Sequence, residues 1–283
     1  MEWIERLNKS IIYIEENIAE EIDYEQIARV ACCSSYHFQR MFAYMAGTSL
    51  SEYIRRRRMS LAAADLQGGD EKILDVALKY GYNSPTAFNR AFQSVHGIAP
   101  SLVKKSGVSV KSYPPISFKI TVKGVEEMNY RIEKKEAFRI VGVCSPLHKE
   151  MEKNFEVVPQ MWQKVSADST IPKLVSMMNI PPTGVLGVSL CNDDEEWKYF
   201  IAVASTAPAD DGMEEYMVPE FTWAVFPGEG SMPHSIQELE QRIITEWLPT
   251  SGYEYANGPD IELYLNSDQQ NSKFEVWIPV IKK

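Results

Sequence analysis

One stretch of this chain is written twice: Ser34 to Leu50, SSYHFQRMFAYMAGTSL, and Ser84 to Pro100, SPTAFNRAFQSVHGIAP. At an offset of 50 residues Ser34 and Ser84, Phe38 and Phe88, Arg40 and Arg90, Phe42 and Phe92, and Gly47 and Gly97 coincide, which points to a duplicated helical unit. On a period of about 3.6 residues the first copy gathers Phe38, Met41, Phe42 and Met45 on one face and Tyr36, Gln39, Arg40 and Ala43 on the other. The second gathers Phe88, Ala91, Phe92 and Val95 inward, with Thr86, Asn89, Arg90 and Gln93 outward. Each copy therefore predicts a packed helix that presents short polar groups around one arginine, unlike the Glu/Lys mixture of an ordinary solvated helix. Such a face suits the edges of bases.

The total charge argues the other way, because a formal net charge of -10 is not the footprint of a nucleic-acid binder. Its distribution resolves the conflict. Residues 1–111 carry 14 Lys+Arg against 13 Asp+Glu, leaving 15 against 26 for residues 112–283, and residues 29–58 hold six arginines and one acid, Glu52. The basic surface is local and coincides with the repeat. At 283 residues, 45% of them apolar, the chain has material for two cores. Cys32, Cys33, Cys144 and Cys191 form no C-x-x-C pair and no zinc spacing with histidine, so reduced thiols and no metal or cofactor are expected. Neither a leader nor an apolar run near 18 residues is present, so no membrane is expected and a cytoplasmic location is.

In order, Trp3, Ile4, Leu7, Ile11, Ile14 and Ile18 predict a first helix with one apolar stripe. Asp23 with Gln26 reads as a capping box opening a second helix, and Ser34 caps a third, giving helix, tight turn, helix. Ser49 and Glu52 open a long helix through Arg55 to Leu66, Asp70 begins the next, and Ser84-Pro85 start the second copy. These residues, I-A-x-x-A then S-x-x-x-F-x-R-x-F-x-x-x-x-G, the joining helix, and G-Y-x-S-x-x-x-F-x-R-x-F-x-x-x-x-G-x-x-P, resemble the DNA-binding domain of the AraC/XylS family of bacterial transcription regulators over residues 1–106. The resemblance implies that the third and sixth helices enter successive major-groove segments. It makes Tyr36, Gln39 and Arg40, and Pro85, Thr86, Asn89 and Arg90, the base-reading candidates, with Arg55 toward phosphate. The Arg55–Arg58 run reads either as a solvated helix face or as a phosphate clamp. Cys32 stands where the family usually has a turn glycine, so it either avoids positive φ or is strained.

Residues 107–126 read as linker with one possible strand, Ile116 to Val122, and the boundary falls near Glu126. Beyond it, extended Tyr130–Val143, helix Met151–Val165 and strands Gly184–Cys191 and Trp197–Ala204 are followed by strand Tyr216–Phe226, helix Ser235–Leu248 and strands Ile261–Asn266 and Phe274–Val280. Two β-α-β-β units make residues 127–283 an α+β domain after an all-α double helix-turn-helix domain. Val218-Pro219, Trp223 to Phe226, E-W-L-P-x-S-G-Y from Glu246, P-x-x-E-x-Y from Pro259 and Trp277 to Val280 resemble the GyrI-like effector-binding domain.

Alternation in Asp260 to Leu265 places Glu262 and Tyr264 opposite Ile261, Leu263 and Leu265. The resemblance makes Glu262 the floor of a pocket for positively charged aromatic ligands rather than a surface residue, and Tyr264, Trp223 and Trp277 read either as its walls, since aromatic faces attract cations, or as ordinary core. Tyr130, Trp162, Trp197 and Tyr199 receive no role. The chain reads as a ligand-responsive regulator and not an enzyme, acting as a monomer on double-stranded promoter DNA, with RNA polymerase and a small-molecule effector as partners. The alternatives are a hydrolase using Glu262 and a second half that docks a protein partner without a ligand.

Overall fold

The computed structural model describes residues 2–69, 71–105, 107–119, 127–191 and 196–283, and the chain divides into two compact units, Met1–Ile120 and Thr121–Lys283. The first is helical: α1 (Glu2–Glu16), α2 (Tyr24–Ala31), α3 (Ser35–Ala46), α4 (Leu50–Gly68), α5 (Ile73–Lys79), α6 (Pro85–His96) and α7 (Pro100–Val103). Four side-chain caps set the starts. Asp23 accepts from the Glu25 and Gln26 amides, Ser34 from His37, Ser49 from Glu52 and Ser84 from Ala87. Gly47 and Gly97 end the two copies in the left-handed conformation, at φ 65° and 78°. The Asp70 start and the Glu126 boundary lie outside the described residues.

Cys32 also ends its helix in that conformation, at φ 57° and ψ 44°. A residue with a Cβ is disfavoured there by about 1–2 kcal/mol, and glycine is not. We therefore expect Cys32→Gly to stabilise the first unit by about 1 kcal/mol, read as a higher urea midpoint at unchanged slope. A lower midpoint would show that the Cys32 side chain contributes more than its backbone costs.

The four arginines of the run do not share one face or one partner. Arg57 is buried, with Nη2 2.6 Å from Glu15 and Nη1 donating to the Tyr113 carbonyl at 2.6 Å. Arg58 donates to the Ile18 and Glu20 carbonyls at 2.8 and 2.6 Å. Arg55 and Arg56 both pair with Glu52. Consecutive helical residues point in four directions, so one run serves three local purposes.

Residues 107–119, read from sequence as linker, pack within the first unit. Asn8 exchanges two hydrogen bonds with the Phe118 backbone, at 2.8 and 3.0 Å, and the Phe118 ring meets Phe42 edge-on. His96 accepts from the Lys111 amide at Nδ1, 3.2 Å, which leaves Nε2–H to donate to the Met59 carbonyl at 3.0 Å. Residues 116–119 form no strand, and the rest of the strand expected to Val122 lies outside the described residues.

The second unit has β1 (Arg131–Lys135), β2 (Phe138–Pro146), α8 (Met151–Ala167), α9 (Thr170–Met177), β3 (Val185–Leu190), β4 (Lys198–Ala204), β5 (Glu214–Val218), β6 (Phe221–Gly230), α10 (His234–Arg242) running into a π-helical turn (Ile243–Trp247), β7 (Tyr253–Tyr255), β8 (Asp260–Tyr264) and β9 (Ser272–Lys282). The antiparallel sheet has the order β1-β6-β9-β8-β3-β4-β2-β5, with β7 beside β9. That order is a palindrome of the two repeats about the β8–β3 seam, except that each repeat's first strand crosses to the far edge of the other. The single strand expected over Tyr216–Phe226 is accordingly two strands. Pro219 cannot donate to a ladder, and the chain leaves β5 on β2 to start β6 between β1 and β9. One sheet face packs Tyr199, Ile201 and Val203 beneath α8 and α9. The other carries Ile140, Val188, Phe200, Trp223, Ile261 and Trp277 in a second core.

Candidate nucleic-acid interface and ligand site

The two helix-turn-helix copies sit at the ends of α4, whose 19 residues span about 28 Å at the usual rise. Successive major-groove segments lie about 34 Å apart. In α6 the polar face is open: Pro85, Thr86, Asn89, Arg90 and Gln93 are exposed, while Phe88 and Phe92 are buried. Asn89 Oδ1 accepts from Gln93 Nε2 at 2.8 Å. In α3 the equivalent face is not open. Tyr36 and Gln39 are 7% and 3% exposed, and the half-buried Arg40 has its guanidinium 6.0 and 5.8 Å from the Tyr36 and Tyr44 rings. Helical periodicity gives the direction of a side chain but not its burial. Arg55, expected toward phosphate, is about 42% exposed with its guanidinium committed to Glu52.

Glu262 lies on β8, opposite Gly187 of β3 in the ladder, and β3 separates it from β4. Across that strand the Tyr199 hydroxyl donates to Glu262 Oε2 at 3.0 Å, and Tyr264 donates to the same oxygen at 2.8 Å. Trp162 of α8 closes the group. Its Nε1–H donates to the Tyr199 oxygen at 2.9 Å, and its ring stands 4.9 Å from Tyr264, edge to face. Burial first, and then the Glu262 charge, hold both phenols well above the ordinary tyrosine range, so they remain donors at neutral pH. Gly187 makes the crossing possible: a Cβ there would lie 2.2 Å from the Tyr199 hydroxyl and 2.8 Å from Glu262 Oε2.

Trp223 and Trp277 do not join this group. Trp277 is the register partner of Ile261 and Trp223 of Pro279, and both indoles are 0–1% exposed in the core of the opposite face. Lys135 lies 4.7 Å from the Trp277 ring, whose Nε1–H donates to Glu275 at 2.7 Å. Alternation along β8 separates Glu262 from Ile261, but only the register with β9 and β6 assigns the tryptophans, and sequence does not supply it. The residues that sequence reasoning left out are Tyr199, Trp162 and Gly187. The usable signal was Gly187, a glycine inside a strand, which marks a close approach.

Among the described residues no cluster of metal-ligating side chains occurs, and no helix is long and apolar enough to cross a membrane.

Residues 128–281 match the model of the GyrI-like small molecule binding domain, and residues 27–106 that of a helix-turn-helix domain. The HTH-type transcriptional activator AarP of Providencia stuartii is 36% identical over 100 residues, 35% of this chain and 74% of the relative. The right origin-binding protein of Escherichia coli K12 is 24% identical over 294 residues, covering 95% of this chain and 96% of its own. The solved structure of SAV2435 bound to tetraphenylphosphonium aligns with 54% of this chain and 94% of that one at 21% identity and a TM-score of 0.48.

Proposed function

The chain belongs to the GyrI-like small-molecule-binding family through its second unit and to the AraC-type helix-turn-helix regulators through its first, and we propose that it couples promoter recognition to an aromatic, lipophilic cation received by Glu262. It is a DNA-binding transcription regulator with a small-molecule-binding domain. The observation that carries the finer reading is the Glu262 carboxylate at the centre of an aromatic cage, held by two phenols that only donate to it. Trp162 and Tyr264 offer π faces to a flat cation beside that carboxylate. Coupling requires that the cation bind two states of the regulator unequally.

For the ligand, tryptophan fluorescence of the full chain is titrated with ethidium and with an uncharged phenanthridine in the absence of DNA. Saturable quenching by ethidium alone is expected, weakened at least about tenfold, or about 1.4 kcal/mol, in Glu262→Gln. Equal response to both compounds would remove the charge argument. Conversion of the compound, lost in Glu262→Gln, would instead favour the hydrolase alternative.

For DNA, α6 is the open reader, with Arg90 placed to pair with guanine and Asn89 with adenine. Tyr36, Gln39 and Arg40 of α3 are the candidate readers of the first copy. Arg90→Ala is expected to lose about 1–3 kcal/mol of discrimination at one base pair of the site, measured on single-base operator variants at matched salt, with unchanged thermal unfolding because the side chain is exposed. A uniform loss across all variants would make Arg90 a phosphate contact.

A further inference from the structure

Residues 108–119 form neither helix nor strand, and Pro114 and Pro115 stiffen this strap by fixing φ at both positions. α4 meets it with one stripe, because Tyr53, Arg57, Ser60 and Gln67 stand at i, i+4, i+7 and i+14 of the helix. Gln67 donates to the Val108 carbonyl at 3.2 Å, the Ser60 hydroxyl accepts from the Tyr113 amide at 2.9 Å, and Arg57 donates to the Tyr113 carbonyl at 2.6 Å. The Tyr53 hydroxyl accepts from the Ile116 amide at 3.5 Å. The strap therefore runs antiparallel to α4. From Val108 to Ile116 an extended chain covers about 25 Å, and from Tyr53 to Gln67 a helix covers about 21 Å, so the two lie side by side at matched length. Both ends of the strap are fastened beyond α4. The Lys111 amide donates to Nδ1 of His96 at 3.2 Å, and His96, 6% exposed, is the last residue of α6. At the other end Asn8 of α1 holds the Phe118 amide and carbonyl at 2.8 and 3.0 Å, and the Phe118 ring centre lies 6.0 Å from that of Phe42 in α3. The strap thus joins α6 to the helices of the first copy, alongside the helix that connects them in sequence.

We infer that the strap is a brace that sets the distance and angle at which the two copies meet DNA, with His96 and Asn8 as the positioning residues at its ends. This rests on the reading of α3 and α6 as entering successive major-groove segments. A single strut leaves bending and twisting free, whereas two struts side by side resist both. One base pair added between the segments turns them by about 34° and moves them by about 3.4 Å. A braced pair of readers does not follow that change, and an unbraced pair does. The brace therefore acts on the tolerance of wrong spacing and not on the base contacts within each segment.

The test uses a duplex selected by the full chain from a randomised pool, and the same duplex with one base pair inserted or removed between its two segments, all at one salt concentration. The parent is expected to prefer the selected spacing at least about tenfold. His96→Phe keeps a ring beside Phe92, whose centre is 4.3 Å away, but offers no acceptor to Lys111. In that variant, and separately in Asn8→Ala, the preference is expected to fall to within about threefold, because a brace released at either end holds nothing. Discrimination against single-base changes inside each segment is expected to match the parent. Amide hydrogen exchange over residues 107–119 reports the release itself, and Asn8→Ala, at a half-buried site, carries the test if His96→Phe does not fold. A spacing preference that survives in a variant whose strap amides exchange freely overturns the brace, since α4 alone then sets the geometry. A parent indifferent to spacing overturns it as well when base changes in both segments weaken binding. Base changes that matter in one segment only are a different failure, because they remove the reading on which the brace stands.

Discussion

Arg57→Met is expected to cost the first unit about 3–5 kcal/mol, a large fraction of the stability of any single domain. Arg57 and Glu15 are joined by three nitrogen–oxygen contacts of 2.6 to 3.0 Å, with 9% and 18% of their side chains exposed. Tyr53 donates to the same carboxylate at 2.5 Å, and Arg57 holds the Tyr113 carbonyl, so one guanidinium joins α1, α4 and the strap formed by residues 107–119. Removing it leaves a mostly buried charge uncompensated, which is the costly way to break such a pair. Glu15→Gln with Arg57→Met restores a neutral acceptor for Tyr53 and is expected to recover most of the loss. Urea unfolding followed by helical circular dichroism measures both. Additive losses in the double variant would mean that packing, and not charge, sets the cost. The pair also gives acid sensitivity. Burial pushes the Glu15 carboxyl up, but hydrogen bonds from Arg57 and Tyr53 outweigh it and hold its pKa below the ordinary 4.5. A carboxyl depressed on folding stabilises above its unfolded pKa and loses that contribution as pH falls through the folded value. In Arg57→Met the group that chiefly opposes burial is gone, so the acid-induced loss tied to Glu15 is expected to shrink, and protonation of the carboxyl on acidification to relieve part of the variant's destabilisation.

The helical half was legible because its information is local. Asp23, Ser34, Ser49 and Ser84 cap where their side chains and spacing indicate, and Phe38, Phe42, Phe88 and Phe92 are buried as their period requires. The strain left open at Cys32 proved to be real positive φ. What sequence did not give was the partner of each charge. Nothing in the run of four arginines announces that Arg57 belongs to Glu15, 42 residues away, or that Arg58 holds two carbonyls of the connection between α1 and α2.

In the sheet half the elements were legible and their adjacency was not. Glu262 and Tyr264 share a face by simple alternation, and they do meet. Assigning Trp223 and Trp277 to that face was a register question, and a displacement of one residue moves a side chain to the other side of the sheet. The same gap hid Tyr199, which reaches Glu262 only because β4 and β8 flank β3 in the sheet order. The break of Tyr216–Phe226 at Pro219 had a visible cause, yet the crossing of its two halves to opposite edges belongs to the fold of the whole unit.

Gly187→Ala is expected to abolish the ligand site while leaving the sheet in place. The new Cβ would lie 2.2 Å from the Tyr199 hydroxyl and 3.1 Å from its ring carbon, with Glu262 Oε2 at 2.8 Å. Tyr199 is buried and hydrogen-bonded on both sides, so it has no room to give without breaking its bonds to Trp162 and Glu262. Overpacking of this kind costs about 1–3 kcal/mol of stability. Ethidium binding is expected to weaken by more than about a hundredfold, near 2.7 kcal/mol, because both the carboxylate and one wall of the cage shift together. Tyr199→Phe in the same chain separates the two effects. Losing the hydroxyl removes the 2.2 Å encounter and leaves the approach to Glu262 Oε2 and the 3.1 Å ring contact, so part of the stability is expected to return. Binding is not, since the phenol that orients Glu262 is gone. If the double variant regains ethidium affinity as well as stability, Tyr199 only fills space, and the site works through Tyr264 and Trp162 alone.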